Sequence, residues 1–174
     1  MTTRQLRHGL TLCAIVASLV ATTAAARAQS GTATATSLKV GGDVTTPLTL
    51  SAADLKAMPR KSVEIQEDGR TVVYEGVLVT EILKKAGAPT GGSLRGDALA
   101  SYALMTASDG YAVLFSLAEL DSGLAGTDII VADTVDGKPL FAYQGPFRVV
   151  APKDSRPARS VRMLEKIDVV RLKK

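Results

Sequence analysis

From Ile129 to Pro152 the chain reads IIVADTVDGKPLFAYQGPFRVVAP: an apolar run, an Asp-Gly pair, a second apolar segment, a Gly-Pro step and a last apolar run closed by proline. Asp136 and Gly137 both tolerate positive φ, so the segments on either side are expected to reverse tightly and pair antiparallel. Pro139 follows that turn and Pro146 precedes the next run, where neither need remove a central ladder hydrogen bond. Phe147, Val149 and Ala151 alternate with Arg148 and Val150, a period of two that predicts a strand with one buried side. The pattern places a β core here and builds the other segments onto it.

The same reading extends along the chain. Leu38-Lys39-Val40 predicts a strand turned by Gly41-Gly42, and Leu48-Thr49-Leu50 a second one. Ser51 stands as the N-cap of a short helix over 52–58, with Asp54 in the capping-box place and Pro59 as the stop. Runs 62–66 and 71–75 flank Glu67-Asp68-Gly69-Arg70, a hairpin signal. Val79, Ile82, Leu83 and Ala86 fall at i, i+3, i+4 and i+7, one face of a helix that Gly87 closes. Residues 88–96 read as a surface loop. Runs 102–107 and 111–115 flank Ser108-Asp109-Gly110, a third hairpin, and Ser116 caps a one-turn helix over 117–120. Residues 153–159 are polar and broken by proline, and 161–172 supply a final strand or two. Many short strands with two or three short helices describe an α+β domain in which sheets dominate.

The amino end follows a different pattern. Arg4, Arg7 and His8 precede an apolar run from Leu10 to Val20, and small residues then end in Ala26-Arg27-Ala28. A basic start, a short apolar middle and an A-x-A end describe a secretory signal peptide over residues 1–28. The apolar run is about half the roughly 20 residues of a membrane span, so no membrane anchor is expected after cleavage. Residues 29–37 are small and polar and read as a disordered lead-in to a domain over 38–174. The expected product is periplasmic or secreted.

Cleavage changes the chemistry available. The leader carries three of the 21 Lys and Arg and none of the 17 acids, which leaves a charge of about +1. That balance, without an aromatic-rich basic stripe, argues against nucleic acid as a partner. The leader also holds the chain's one cysteine, Cys13, and its one histidine, His8. The mature chain therefore has no disulfide, thiolate nucleophile, thiolate metal ligand or imidazole base. A His-dependent triad at Ser108 and Asp109 is excluded for want of the base.

Four pieces, in order, resemble the oxidoreductase molybdopterin-binding domain family, the sulfite-oxidase-type fold. They are the L-x-V-x-G-x-V-x-x-P-x-x-L run from Leu38 to Leu50 with its S-A-A-D-L helix; Tyr74-Glu75-Gly76-Val77 leading into the helix that ends at Gly87; Ser108-Asp109-Gly110-Tyr111; and D-G-K-P-L followed by Gly145-Pro146-Phe147-Arg148-Val149-Val150-Ala151-Pro152 and the closing strand. Together they span nearly all of the mature chain, and they imply a β-rich α+β fold with mixed sheets and a few short helices. Redox-active members hold molybdenum through a cysteine in the segment before the second piece, which here reads Val63-Glu64-Ile65-Gln66-Glu67. Oxygen ligands at Glu64, Gln66 or Glu67 would be a harder set than that thiolate. Where the family often has a histidine before its Gly-x-Pro, this chain has Gln144.

The resemblance implies molybdopterin as the cofactor, here without a thiolate-ligated metal, and a small anionic or pterin ligand as the partner. Arg148, Lys153, Arg156, Arg159 and Arg162 form a basic cluster able to bind a pterin phosphate or to serve as a solvated face. Arg148 leads it because it lies inside the Gly-Pro-Phe-Arg match. With Arg159 and Arg162, the expected cofactor contacts are Asp109, Tyr111, Gln144 and Gly145. Asp133 and Asp136 form a nearby carboxylate pair, explained by turn chemistry rather than by acid–base work. Three functions stay open: a binding module that keeps the fold and anion pocket, an active molybdopterin-dependent oxidoreductase, and a protein-interaction scaffold. The missing cysteine argues for the binding module or the scaffold against the oxidoreductase; binding rather than turnover is the expectation, with no catalytic residue assigned.

Overall fold

The computed structural model describes residues 37–172; the expected signal peptide and almost all of the lead-in lie outside them. Ten strands, β1 (Leu38–Gly42), β2 (Leu48–Leu50), β3 (Arg60–Glu67), β4 (Arg70–Leu78), β5 (Ser101–Ala107), β6 (Ala112–Ser116), β7 (Ile130–Val135), β8 (Lys138–Pro139), β9 (Arg148–Val150) and β10 (Leu164–Arg171), form two sheets. The first has the order β2-β1-β10-β5-β6 and is mixed, because β1 and β10 run parallel. The second is antiparallel, β3-β4-β7, with β8 and β9 both paired to β7.

Local chemistry accounts for the turns and short helices. Asp68 and Asp136 take positive φ with the glycine that follows each, so both Asp-Gly pairs reverse the chain as expected. Helix α1 (Ala52–Lys56) starts at a complete Ser51–Asp54 capping box and is two residues shorter than the expected 52–58. In α2 (Val79–Lys85) Val79, Ile82 and Leu83 are buried, and Ala86 beside it is buried as well. Helix α3 (Leu117–Leu120) carries a second capping box, Ser116 with Glu119. The sequence pattern gave no sign of α4 (Ser122–Ala125), whose four residues are too few for a period and which Asp121 caps.

One large core joins apolar side chains of both sheets to α1, α2 and α3, among them Leu55, Ile82, Met105, Phe115, Val131, Phe147 and Ile167. A smaller core lies on the second sheet's other side and contains Val63, Val72, Tyr74, Ile130, Ala132 and Val150. The expected alternation in β9 is present, but its one-sided burial is not. Phe147 and Val149 enter the large core, Val150 enters the small one, and Arg148 is fully buried between its neighbours. A strand lying between two cores is buried on both faces, whatever its polar positions.

Two departures shape the region around β7. Asp133 is an extra residue opposite Glu75 and Gly76, a bulge that breaks the β4–β7 register and aims its carboxylate at Arg60. Gly76 permits the close approach of these strands, since an added Cβ there would come 2.0 Å from the Val131 carbonyl oxygen. The second apolar segment after the Asp-Gly turn pairs with β7 through Lys138 and Pro139, with one more bond from the Leu140 N–H to the Asp133 carbonyl. Beyond Leu140 the chain leaves the sheet. It then turns at Phe141–Gly145 and leaves Phe141 and Tyr143 more than half exposed.

Candidate functional site

Arg148 organises the site. Its side chain has no exposed surface; Nη2 donates to Glu67 Oε1 at 2.8 Å, and Nη1 donates to the Tyr74 hydroxyl. The guanidinium carbon also lies 4.7 Å from the Tyr74 ring centroid. Tyr74 in turn donates to Glu67 Oε2 at 3.1 Å, so both carboxylate oxygens are occupied. Burial above all, and Glu67 beside it, push the Tyr74 phenol up against the opposing pull of Arg148. Two buried atoms near this knot have no partner, the Arg148 Nε donor and the Gln144 Oε1 acceptor. Buried orphans of this kind mark places where water or a ligand belongs.

Two adjoining hollows open beside the knot. The smaller, of about 330 Å³, is lined by Arg148, Arg162, Asp109, Tyr111, Tyr143 and Ser160 among others. The larger, of about 750 Å³, takes its walls from Gln144 and Arg162, from the end of β3 (Glu64, Gln66, Glu67) and from Arg156 in the 152–162 segment. Tyr143, Pro157, Ser160 and Arg162 line both. Volumes in this range suit a cofactor-sized ligand. A third hollow of about 610 Å³, bordered by Asp43, Thr45 and Arg171, contains none of the residues predicted from sequence.

The fold thus brings together five of the seven predicted contacts: Arg148, Arg162, Asp109, Tyr111 and Gln144. Arg159 and Gly145 line neither hollow. The Arg159 guanidinium grips Asp154 through Nε at 2.8 Å and Nη2 at 2.6 Å, and Glu119 through Nη1 at 2.8 Å. Asp154 and then Glu119 raise its pKa further, so its charge is spent within the fold. Burial would push the Glu119 carboxyl up, but Arg159 and the Ser116 cap outweigh it and hold it below its ordinary value. Gly145 packs instead, since an added Cβ would meet the Leu140 Cβ at 3.0 Å. The expected basic cluster is therefore divided. Lys153 donates to the Gly126 carbonyl, Arg148 and Arg159 are paired, and Arg156 and Arg162 face the hollows with no carboxylate partner among the described residues.

Asp109 and Tyr111 play turn roles as well. The Asp109 carboxylate accepts from the Tyr111 N–H at 2.9 Å, and the Tyr111 hydroxyl donates to the Ala158 carbonyl at 2.6 Å, fastening two walls of the small hollow. Asp133 and Asp136 stand outside the site. Burial would push the Asp133 carboxyl up, but the two-pronged contact from Arg60 outweighs this and lowers it, while Asp136 accepts from the Val73 N–H at 3.0 Å.

Sequence reasoning missed Tyr143, Ser160 and Met163. Tyr143 stacks on Phe141 with centroids 5.7 Å apart, and Arg162 lies 5.6 Å from its ring centroid. The signal for Tyr143 was its place one residue before Gln144. Met163 borders the small hollow at φ 47°, a left-handed conformation rare outside glycine. Among the described residues, no group of three or more His, Cys, Asp or Glu side chains is placed to hold a metal, and no helix is long and apolar enough to cross a membrane.

Comparison with known proteins bears on the family and the fold. The sequence profile of the oxidoreductase molybdopterin binding domain matches residues 25–174. The crystal structure of the sulfane dehydrogenase SoxCD from Paracoccus pantotrophus is similar at a TM-score of 0.60 and 17% identity. That match covers 76% of this chain and 37% of the other, so this chain spans little more than a third of that protein, and at such identity the likeness is one of fold. No curated protein sequence gives a significant match.

Proposed function

The chain belongs to the oxidoreductase molybdopterin-binding domain family, and on that premise we propose that its two adjoining hollows hold a phosphate-bearing pterin of the molybdopterin class, for binding rather than turnover. The observation that carries this reading is the Arg148 Nε donor, buried without a partner in a residue that lines the smaller hollow together with Arg162. A phosphate there accepts from Arg148 and meets the unpaired charge of Arg162, while the exposed ring of Tyr143 offers a stacking face. Arg148 is preset for this contact, because Glu67 and Tyr74 hold its two terminal nitrogens and Nε is the nitrogen left without a bond. Its charge is already offset by Glu67, so Arg162 and Arg156 supply the net attraction.

The residues present fit the pterin and its phosphate but do not supply a thiolate metal ligand. Molybdopterin, when bound, brings dithiolene sulfurs that hold molybdenum. The segment where redox-active relatives place their cysteine reads Val63-Glu64-Ile65-Gln66-Glu67: both Glu67 oxygens are committed to Tyr74 and Arg148, Gln66 donates to Thr71, and Glu64, without an ion-pair partner among the described residues, is a harder oxygen donor than the thiolate. The chain's one cysteine is Cys13, within the leader that is proposed to be cleaved. With no histidine after residue 8, no imidazole moves protons at the site. The basic, apolar and A-x-A segments of residues 1–28 support export, with Gln29 as the new amino terminus; mass spectrometry of the secreted protein that finds Leu10–Val20 intact would refute it.

Titration of the protein with a pterin phosphate at low and high salt tests the binding reading. Affinity is expected to fall as salt rises, and Arg162→Ala to weaken it by about tenfold. Salt-independent binding that Arg162→Ala leaves unchanged would overturn it.

A further inference from the structure

We infer that β6 pairs with the β6 of a second copy of this chain, antiparallel across a two-fold axis, so that the first sheets of the two copies join into one continuous sheet.

β6 ends the first sheet, with β5 on one side and no strand on the other. Its ladder with β5 runs without a register shift, Thr106 opposite Ala112 and Leu104 opposite Leu114. The Ala107 N–H donates to the Tyr111 carbonyl at 2.8 Å, which sets the alternation along the strand. Val113 and Phe115 then exchange hydrogen bonds with Met105 and Ala103, whereas the N–H and C=O groups of Ala112 and Leu114 point away from β5. Those outward groups have no backbone partner among the described residues. Ser116 also points outward, but its N–H donates to Glu119 Oε2 at 2.9 Å within the α3 cap.

Other free edges are guarded in the ways that keep strands apart. β3, at the edge of the second sheet, carries Arg60, Lys61, Glu64 and Glu67. β2, at the far edge of the first sheet, has three residues and follows Pro47. β6 has neither device: residues 110–118, GYAVLFSLA, contain no charge and no proline. Ala112 is exposed, and Leu114 is 50% exposed beside half-buried Leu104. An uncharged edge with free backbone groups accepts an extended strand.

A second β6 fits this edge because the pairing is self-complementary. With Ala112 of one copy opposite Leu114 of the other, each such pair exchanges two hydrogen bonds, and every outward group of both residues is used. Setting Leu114 opposite Leu114 would instead need the Ser116 N–H that Glu119 already holds. In the favoured register Val113 meets its counterpart on the axis, a close pair of β-branched side chains, and Leu114 lies beside the other copy's Ala112. No like charges are opposed along 110–118, and Lys166 and Asp168 on nearby β10 pair with each other at 2.7 Å. The charge of about +1 left after loss of the leader adds little repulsion.

Sedimentation of the exported protein between about 1 μM and about 1 mM spans the affinities of a small interface. A monomer–dimer equilibrium is expected, and Leu114→Lys should raise its dissociation constant at least about tenfold by setting a charge against the other copy's apolar strand. Amide exchange followed residue by residue with NMR reads the pairing itself. The Ala112 and Leu114 amides should exchange freely in dilute protein and slow at least about tenfold as the concentration rises, while Val113 and Phe115 stay protected throughout. That wild-type measurement decides the matter even if Leu114→Lys fails to fold. A protein still monomeric at about 1 mM would overturn the inference and leave the edge to a different chain. So would a dimer whose Ala112 and Leu114 amides exchange as fast as in the monomer, or one that folded Leu114→Lys leaves unweakened.

Discussion

Arg148 donates to Glu67 across 81 residues of sequence, at 2.8 Å, with its own side chain 1% exposed and that of Glu67 26% exposed. The pair fastens the end of the first long hairpin to the strand that follows Gly145-Pro146, and the hollows open beside it. Losing either partner has unequal consequences. Glu67→Gln leaves a guanidinium charge buried, and a destabilisation of about 3 kcal/mol is expected, the lower end for a broken buried pair because water reaches Glu67. Arg148→Met costs less, since the freed carboxylate can turn toward solvent. The double variant should recover part of the Glu67→Gln loss, and urea unfolding of the three proteins measures the coupling. Strict additivity would show that the pair contributes nothing to stability.

Burial of β9 on both faces gives a second expectation. Phe147→Ala should cost about 3–5 kcal/mol, as for an enclosed ring. Val150→Ala, on the face that the sequence pattern left to solvent, should still cost about 2 kcal/mol from lost burial and the cavity behind it. Chemical denaturation measures both. A Val150→Ala loss near zero would mean that the small core does not close over this strand.

Acid stability should follow Asp133 and Glu119. Both carboxyls have folded pKa values below their ordinary values of 3.8 and 4.5. The folded state therefore holds their protons less tightly than the unfolded state does. Their stabilisation is present above the ordinary values and is lost as pH falls from about 4.5 through the lower folded values. Asp133→Asn should lower stability at neutral pH and flatten the acid decline. A decline equally steep in Asp133→Asn, followed by thermal unfolding between pH 6 and pH 2, would assign the acid sensitivity elsewhere.

The sequence was most informative where chemistry is local. Asp-Gly turns, the Ser51 capping box, the Ser116 cap and the apolar face of α2 depend on residues at most a few places apart, and all formed as read. Order of motifs, rather than any one of them, pointed to the family. What could not be read was which charges are already satisfied. Arg148 looked like an exposed phosphate ligand because Glu67 and Tyr74, which enclose it, lie 81 and 74 residues away. Arg159 looked free, although Asp154 is five residues off, because only the fold brings Glu119 to its other side. The period of two in β9 was legible, but which elements cover each face is settled by tertiary packing. Tyr143 escaped notice because nothing local says that the chain leaves the sheet after Leu140.

We propose that this chain holds a pterin phosphate without supplying a thiolate metal ligand. The most direct measurement is combined pterin, molybdenum and turnover analysis of the protein purified from its native cells. The expected result is a phosphorylated pterin in stoichiometric amount, released by high salt, with little or no sulfite or sulfoxide turnover. Stoichiometric molybdenum with robust turnover, or protein free of any pterin and unable to bind one at low salt, would contradict it.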